Sequence, residues 1–539
     1  MNKFRSAAYA FLEQHAALIV VLFLGFVLRS YLAPWRPYWY DEFISVYLDG
    51  SNHDTVFDAI LSLAYSSIHP PLYQFILYNW MDLFGTSELA TRSLSNVYVV
   101  GATLCLYLFS YKVYGKRVAL GSAIIFTVMY FPMRYGLEAR SYAQTLFLTC
   151  LSSLLLYRYV TKLPRPCSWR GLLNRRLVWL TLANAGLIMT HYYNVFFLGA
   201  QGLFLLIYLL TIKPHLSAIA ETAKAALISV VPVVLLLFSW GWAMAYRYAQ
   251  FEERGTYSAD FPSADPWTIF SDYVIDPTFG GADLGALAPV AVAAVLILLT
   301  IQGVWAVYRY DGRGAEDRGY FTLYVVIWAF VPCVMAFLLF LVAHAERYSA
   351  RYFIFCAPPL AVMTLLAVEN IFLSAKKLLS KIKALDPARH YVRYSLIYAI
   401  VVALAIAAPG GRQAASLINE DYRGIAQLVV NTVRGNPSES YVLYEANHTG
   451  TLNYYLPKMS KGGVRVEDKI RPSYEKLSAQ KFREKIDEID GHDFLIVAFT
   501  HKRLKSYPRT VRRLDELYTR HITQLDRRGR GIIVWDTRK

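Results

Sequence analysis

Runs of apolar residues long enough to cross a bilayer recur about eleven times in this chain, near residues 15–33, 94–111, 118–133, 141–157, 177–190, 195–212, 224–242, 286–308, 320–343, 353–373 and 395–409. A spanning helix needs about 20 such residues, and inside the hydrocarbon the backbone polar groups can be satisfied only within helices or closed barrels. The chain is therefore expected to be a polytopic α-helical membrane protein. Composition agrees, with 56% of the 539 residues hydrophobic and 17% charged. The first run, "HAALIVVLFLGFVLRSYLA", is longer than a signal-peptide core and lacks a small-x-small cleavage site, so it reads as an uncleaved first span.

Loop charge orients the spans. With the N-terminus inside, the basic loops at Lys112/Lys116/Arg117, 158–176, 213–224, 309–318 and 376–393 all fall on the cytoplasmic side, as the positive-inside rule asks. This placement also accounts for the formal charge of +16 without a nucleic-acid partner. On the opposite side lie a long first loop (34–93), the short loops "RYGLEARSY" and "HYYN", the loop 243–285, and "HAERYSARY". The five cysteines show no paired metal or redox spacing: Cys105, Cys150, Cys333 and Cys356 lie in apolar segments and Cys167 in a basic loop.

After Pro409 the hydropathy falls. Strand candidates at Tyr441–Tyr444, "DFLIVAFT" and "GIIVWD", mixed with amphipathic helical spacing, predict a small α/β domain over 411–539 on the non-cytoplasmic face. The membrane domain is then 1–410, with 34–93 as its first external loop.

Asp41 and Glu42 stand in that loop, within "PYWYDEFISVYLDG" just after the first span. Further on, "FDAILSLAYSSIHPPLYQFILYNWMDLFG" carries apolar residues at helical spacing, interrupted by His69-Pro70-Pro71, which predicts two interfacial helices joined at a proline turn. From residue type alone, the two acids read as solvated rim charges and His69 as a turn residue. The ordered set changes that: "WYDE" after the first span, "HPPLYQFILYNWMDLFGTSELATRSLSN" leading into the second, and "RYGLEARSYA" between the third and fourth.

In these segments the chain resembles the GT-C glycosyltransferases, specifically the protein O-mannosyltransferase-like branch with its bacterial, aminoarabinose-transferase-like, lipopolysaccharide-modifying members. The likeness is specific over the first 160 residues and architectural thereafter. It implies that Asp41 is the catalytic aspartate with Glu42 beside it. It also implies that His69, Pro70, Pro71, Tyr73, Glu88 and Arg92, with Glu138 and Tyr142, shape the substrate site. The donor implied is a sugar on a polyprenyl phosphate, the chemistry inverting, and the setting a bacterial inner membrane with the site on the periplasmic side.

The residue types suit such a transfer independently of the resemblance. A carboxylate can take the acceptor hydroxyl's proton as that oxygen attacks the anomeric carbon. The leaving phosphate needs cationic donors, and Arg134, Arg140, Arg347 and Arg351 all lie at external borders. Arg134 and Glu138 are also spaced to pair with each other, and Arg347 and Arg351 to snorkel. The resemblance implies that no metal is obligatory, while the carboxylate pair leaves a divalent cation such as Mg²⁺ or Mn²⁺ open. His191, with Tyr192 and Tyr193, and His344, next to Glu346, are placed to contact acceptor or metal, but isolated histidines at an external border are more often structural, and they are read so here. The acceptor implied is a glycolipid, lipopolysaccharide or envelope glycan. Protein O-mannosylation is one alternative and a polyprenyl-lipid flippase or transporter another, although the ionisable residues crowd one border rather than the bilayer midplane.

Overall fold

The computed structural model describes residues 2–66, 69–162, 174–212, 230–243, 245, 246, 249, 315–343, 350–366, 421–435, 438–446, 451–460, 478, 480, 481, 484, 492–499, 507–526 and 530–538. Arg347, His344, Cys167 and the expected spans near 286–308 and 395–409 lie outside these residues. The chain divides into two compact units, one of Met1–Ala33 with Asp49–Ser416 and one of Pro34–Leu48 with Leu417–Lys539. Hydropathy had set a single boundary at 410/411; by packing, the segment carrying Asp41 and Glu42 goes with the C-terminal residues.

The first unit is a bundle of apolar helices. Helix Asn2–Leu32 packs on Glu88–Tyr114, which also meets Lys116–Val128 and Tyr142–Val160; Arg175–Ile188 covers Tyr142–Val160, and Asn194–Ile212 pairs with Ala315–Ala343. Among the described residues, three helices are long and apolar enough to cross a membrane, His15–Trp35, Glu88–Tyr114 and Arg318–Ala336. Val56–Tyr65, Asn194–Leu209, Val230–Ala243 and Arg351–Leu366 are apolar but shorter.

Helix Glu88–Tyr114 begins ahead of its apolar run because Ser87 caps it: the hydroxyl accepts from the Ala90 amide at 3.2 Å, and Glu88 sits in the electropositive first turn. Gly85 and Gly115 end two helices at φ 84° and 88°, a backbone that side chains with a Cβ rarely adopt. The expected span 118–133 is broken. Helix Lys116–Val128 stops at Met129, whose ψ is 148°, and a short helix Tyr130–Tyr135 restarts. Pro132 explains it, since within one continuous helix its ring would meet the Val128 carbonyl and it has no N–H to donate.

The second unit holds a four-stranded mixed sheet of β1 (Tyr441–Ala446), β2 (Phe494–Phe499), β3 (Thr519–Leu525) and β4 (Gly531–Asp536), in the order β1-β2-β4-β3. The β1–β2 pair is parallel and the other two pairs are antiparallel. Leu495, Val497, Phe499, Ile533 and Trp535 build a core with Tyr507 and Leu514 around helix Pro508–Leu517. Every side chain of β2 is buried, so both faces of the sheet centre are covered. Strand β3 has no counterpart in the sequence reading, because it is an edge strand with mostly exposed, polar side chains. The same unit contains the one-turn helix Tyr40–Phe43, the part of the following π-wound segment Ile44–Ser51 up to Leu48, and the helices Tyr422–Gly435 and Thr451–Ser460.

Candidate active site

The His69-Pro70-Pro71 turn separates helices Val56–Ser66 and Leu72–Phe84. Pro71 takes the N-cap position, where its missing N–H deprives the helix of no bond. Two contacts pin the turn: the Leu72 amide donates to the Met189 carbonyl at 3.0 Å, and the Trp240 indole N–H donates to the His69 carbonyl at 3.2 Å. His69 is thereby brought beside the "HYYN" loop.

A cluster of cationic, imidazole and phenol groups results. Arg140 Nη2 donates to His69 Nε2 at 3.0 Å. Because a guanidinium only donates, this fixes His69 as the neutral Nδ1–H tautomer. The His69 and His191 rings lie 5.3 Å apart, with Tyr142 and Tyr352 at 6.1 and 5.4 Å from His191. Arg351 lies 5.5 Å from the Tyr352 ring centre. It is carried on the 3₁₀ turn Ala350–Cys356, which Trp328 anchors by donating to the Phe355 carbonyl at 2.7 Å.

His191 Nδ1 accepts the Tyr193 amide at 3.3 Å, which puts the proton on Nε2. That Nε2 is buried and has no hydrogen-bond partner among the described residues. Burial, with Arg140 next in effect, holds His69 well below the ordinary histidine range; burial, Arg140 and then Arg351 pull His191 down to about 3. Both imidazoles are thus neutral donors in a positive field.

The remaining residues of this segment support the cluster. Arg134 donates to Glu138 at 3.1 Å and to the Tyr130 hydroxyl at 2.8 Å, so it is engaged within its own turn. Glu138 is buried, and its carbonyl accepts from the Ser95 hydroxyl at 2.6 Å and from the Arg140 amide at 2.8 Å. Next to Ser95, Asn96 accepts from Arg29 Nε at 2.7 Å, and its amide nitrogen donates to the Phe26 carbonyl at 2.9 Å. The 134–140 turn is therefore fastened to the helix Glu88–Tyr114, which is itself fastened to the first span. Arg92 is fully buried and donates to the Ala33 carbonyl at 2.6 Å, closing the end of the first helix. Tyr73 is buried on Leu72–Phe84, Glu88 is half-buried, and Tyr142 opens helix Tyr142–Val160 with its ring 4.8 Å from Tyr135.

Asp41 and Glu42 belong to the other unit. Glu42 is buried and accepts the Trp39 amide at 3.4 Å, while Asp41 is half-buried on the same helical turn. His191, Tyr352 and Asn96 are the neighbours that sequence reasoning did not assign to the site. The available signal for His191 was its place in an external loop; for Asn96 it was an amide within an apolar helix. Among the described residues, no three His, Cys, Asp or Glu side chains converge.

Residues 68–242 match the family described as dolichyl-phosphate-mannose-protein mannosyltransferase. The match contains His69, Arg92, Arg134, Arg140 and His191; it begins after Asp41 and Glu42 and ends before Arg351. No curated protein matches the sequence. Among solved structures, the apo form of ArnT from Cupriavidus metallidurans superposes with a TM-score of 0.55 at 15% identity, covering 99% of this chain and 98% of that one. The same protein bound to undecaprenyl phosphate gives 0.53 at 14% identity, covering 98% of each chain. A weaker likeness, TM-score 0.48 at 13% identity over 89% of this chain and 68% of the other, is to an Archaeoglobus fulgidus oligosaccharyltransferase. Matched segment and shared fold agree with the resemblance read from the sequence: the chain shares the fold of that ArnT structure, and its segment from the His-Pro-Pro turn through the "HYYN" loop matches the dolichyl-phosphate-mannose-protein mannosyltransferase family.

Proposed function

We propose that the protein is a membrane glycosyltransferase that moves one sugar from a polyprenyl-phosphate carrier to an acceptor at the periplasmic face, by inversion, on a scaffold of about eleven spans. The observation that carries the reading is the cluster at His69, Arg140, His191 and Arg351. It offers a positive field with fixed N–H donors, His69, Arg140 and His191 lying inside the segment that matches the family and Arg351 beyond it, and a phosphate leaving group needs both. The likeness to a structure bound to undecaprenyl phosphate supports the same donor class.

In this reading the Asp41 carboxylate takes the acceptor hydroxyl's proton as the hydroxyl oxygen bonds to the anomeric carbon. The bond from that carbon to the phosphate oxygen breaks, and its electron pair leaves with the polyprenyl phosphate. Arg140 and Arg351, with the His191 Nε2–H, hold the growing charge. Arg134, already bonded to Glu138 and Tyr130, shapes the turn; Glu42 assists at Asp41, and Arg347 is kept as a further phosphate ligand. A glycolipid, lipopolysaccharide or envelope glycan is the acceptor proposed. The family description favours a second reading with a protein acceptor.

Purified protein given a labelled polyprenyl-phosphate sugar and envelope fractions tests both readings. Label in lipid or glycan supports the first, label in protein supports the second, and hydrolysis or no release of the sugar contradicts both. Orientation is tested by a reporter fused after Lys539, expected outside the cytoplasm, and one inserted between Pro164 and Arg170, expected inside. Finding both on one side would overturn the arrangement.

A further inference from the structure

The proposed base sits in the first turn, Tyr40–Phe43, of a short helical stretch that runs on into the π-wound segment Ile44–Ser51. A helical stretch of this length is marginal by itself. Its local support is the Glu42 bond to the Trp39 amide at 3.4 Å. Further support comes from the far end of the chain, within the same compact unit.

The Tyr455 hydroxyl, on helix Thr451–Ser460, accepts the Tyr38 amide at 2.9 Å. On the same helix, the Tyr454 ring meets Tyr38, Phe43 and Tyr47 at 5.7, 6.3 and 5.7 Å, and so contacts the chain on both sides of Asp41. Tyr38 and Phe43 are 0% exposed, and Tyr454 and Tyr455 are 5% and 4% exposed, so the contacts are dry. Arg423, on helix Tyr422–Gly435, donates to the carbonyls of Pro34 and Trp35 at 3.2 and 3.3 Å where the segment begins. Hydrogen bonds in such a buried setting fix position more strongly than their exposed equivalents.

We propose that Tyr454 and Tyr455 are positioning residues for Asp41, and that the C-terminal α/β unit serves the reaction by bracing the acidic turn through helix Thr451–Ser460. The inference rests on the reading of Asp41 as general base. Neither tyrosine touches reacting atoms; each acts through the turn. A base displaced by a fraction of an ångström loses rate while donor binding, assigned to the arginines, is untouched.

The test uses the full-length protein. Tyr455→Phe keeps the ring and deletes the acceptor of the Tyr38 amide. It is expected to lower kcat about 10- to 100-fold with the donor KM within about twofold. Added to Asp41→Asn, it should subtract nothing further from the residual rate, because the group it positions is already gone. Hydrogen exchange of the amides in residues 36–48 should quicken at least about tenfold in Tyr455→Phe, and also in Arg423→Ala, a change at a partly exposed site that folding tolerates. Unchanged exchange, a wild-type kcat, or a loss carried undiminished into the Asp41→Asn background would overturn the inference and leave the general-base reading standing. An Asp41→Asn protein working at the wild-type rate would instead remove that reading and, with it, the catalytic half of the inference; the exchange result would still decide whether the brace exists.

Discussion

The cluster around Arg140 and the turn around Asp41 are assembled from the chain in different ways. His69, Arg140, His191 and Arg351 come from four separate loops or turns of the helical unit, and each is fixed by its own supporting contacts. Asp41 and Glu42 are adjacent in sequence, on a turn whose bracing contacts come from a helix more than four hundred residues away. A distributed set of donors can lose one member and still attract an anion. A general base must act from one position, so the two regions should respond differently to substitution.

Asp41→Asn is expected to have the larger effect, a loss of about two to four orders of magnitude in rate, the usual range for a removed general base. Purified, folded protein should retain donor-lipid binding, as the arginines are assigned to it. Glu42→Gln should do less harm; steady-state rates with labelled donor separate the two.

Arg140→Ala and Arg351→Ala should weaken donor-lipid binding by about 1.5–3 kcal/mol each, the range for a charge-assisted hydrogen bond, with a matching loss of turnover. Arg134→Ala should act differently, because its partners are Glu138 and Tyr130: the expected result is lowered thermal stability with a smaller change in donor affinity. Wild-type donor affinity in all three variants, measured by titration with polyprenyl phosphate, would place the phosphate elsewhere.

A smaller effect should appear in the pH dependence of stability. In the folded chain His191 stays neutral down to about pH 3, whereas an ordinary histidine takes up a proton near 6.5. Between these values the unfolded chain binds more protons. Stability therefore rises with pH across that window and is lost on acidification, by up to about 1.4 kcal/mol per pH unit for this one group. Thermal-unfolding midpoints from pH 7 to 4 should fall less steeply in His191→Gln. Parallel profiles would show that His191 is not held neutral by the fold.

How much of this was legible in the sequence differs between the same two regions. The acidic turn and the His-Pro-Pro turn could be singled out by motif, and the apolar runs foretold the helices, because both signals are local. Helix edges were less legible: the capped start at Ser87 and the break at Met129 depend on one hydroxyl and one proline that mean hydropathy does not register. The convergence of His69 with His191 depends on the Leu72–Met189 contact, and the grouping of Pro34–Leu48 with the C-terminal residues on Tyr38–Tyr455. Neither pairing leaves a trace in spacing. Strand β3 was missed because an exposed polar edge strand lacks the apolar alternation by which strands are recognised.

Mass analysis of envelope lipids and glycans from cells that have the chain, lack it, or carry Asp41→Asn tests the central claim most directly. One sugar-bearing acceptor species is expected only with the wild-type chain, and the polyprenyl-phosphate-linked sugar is expected to accumulate in the other two. Identical profiles in all three, under conditions where the chain is expressed, would contradict that claim.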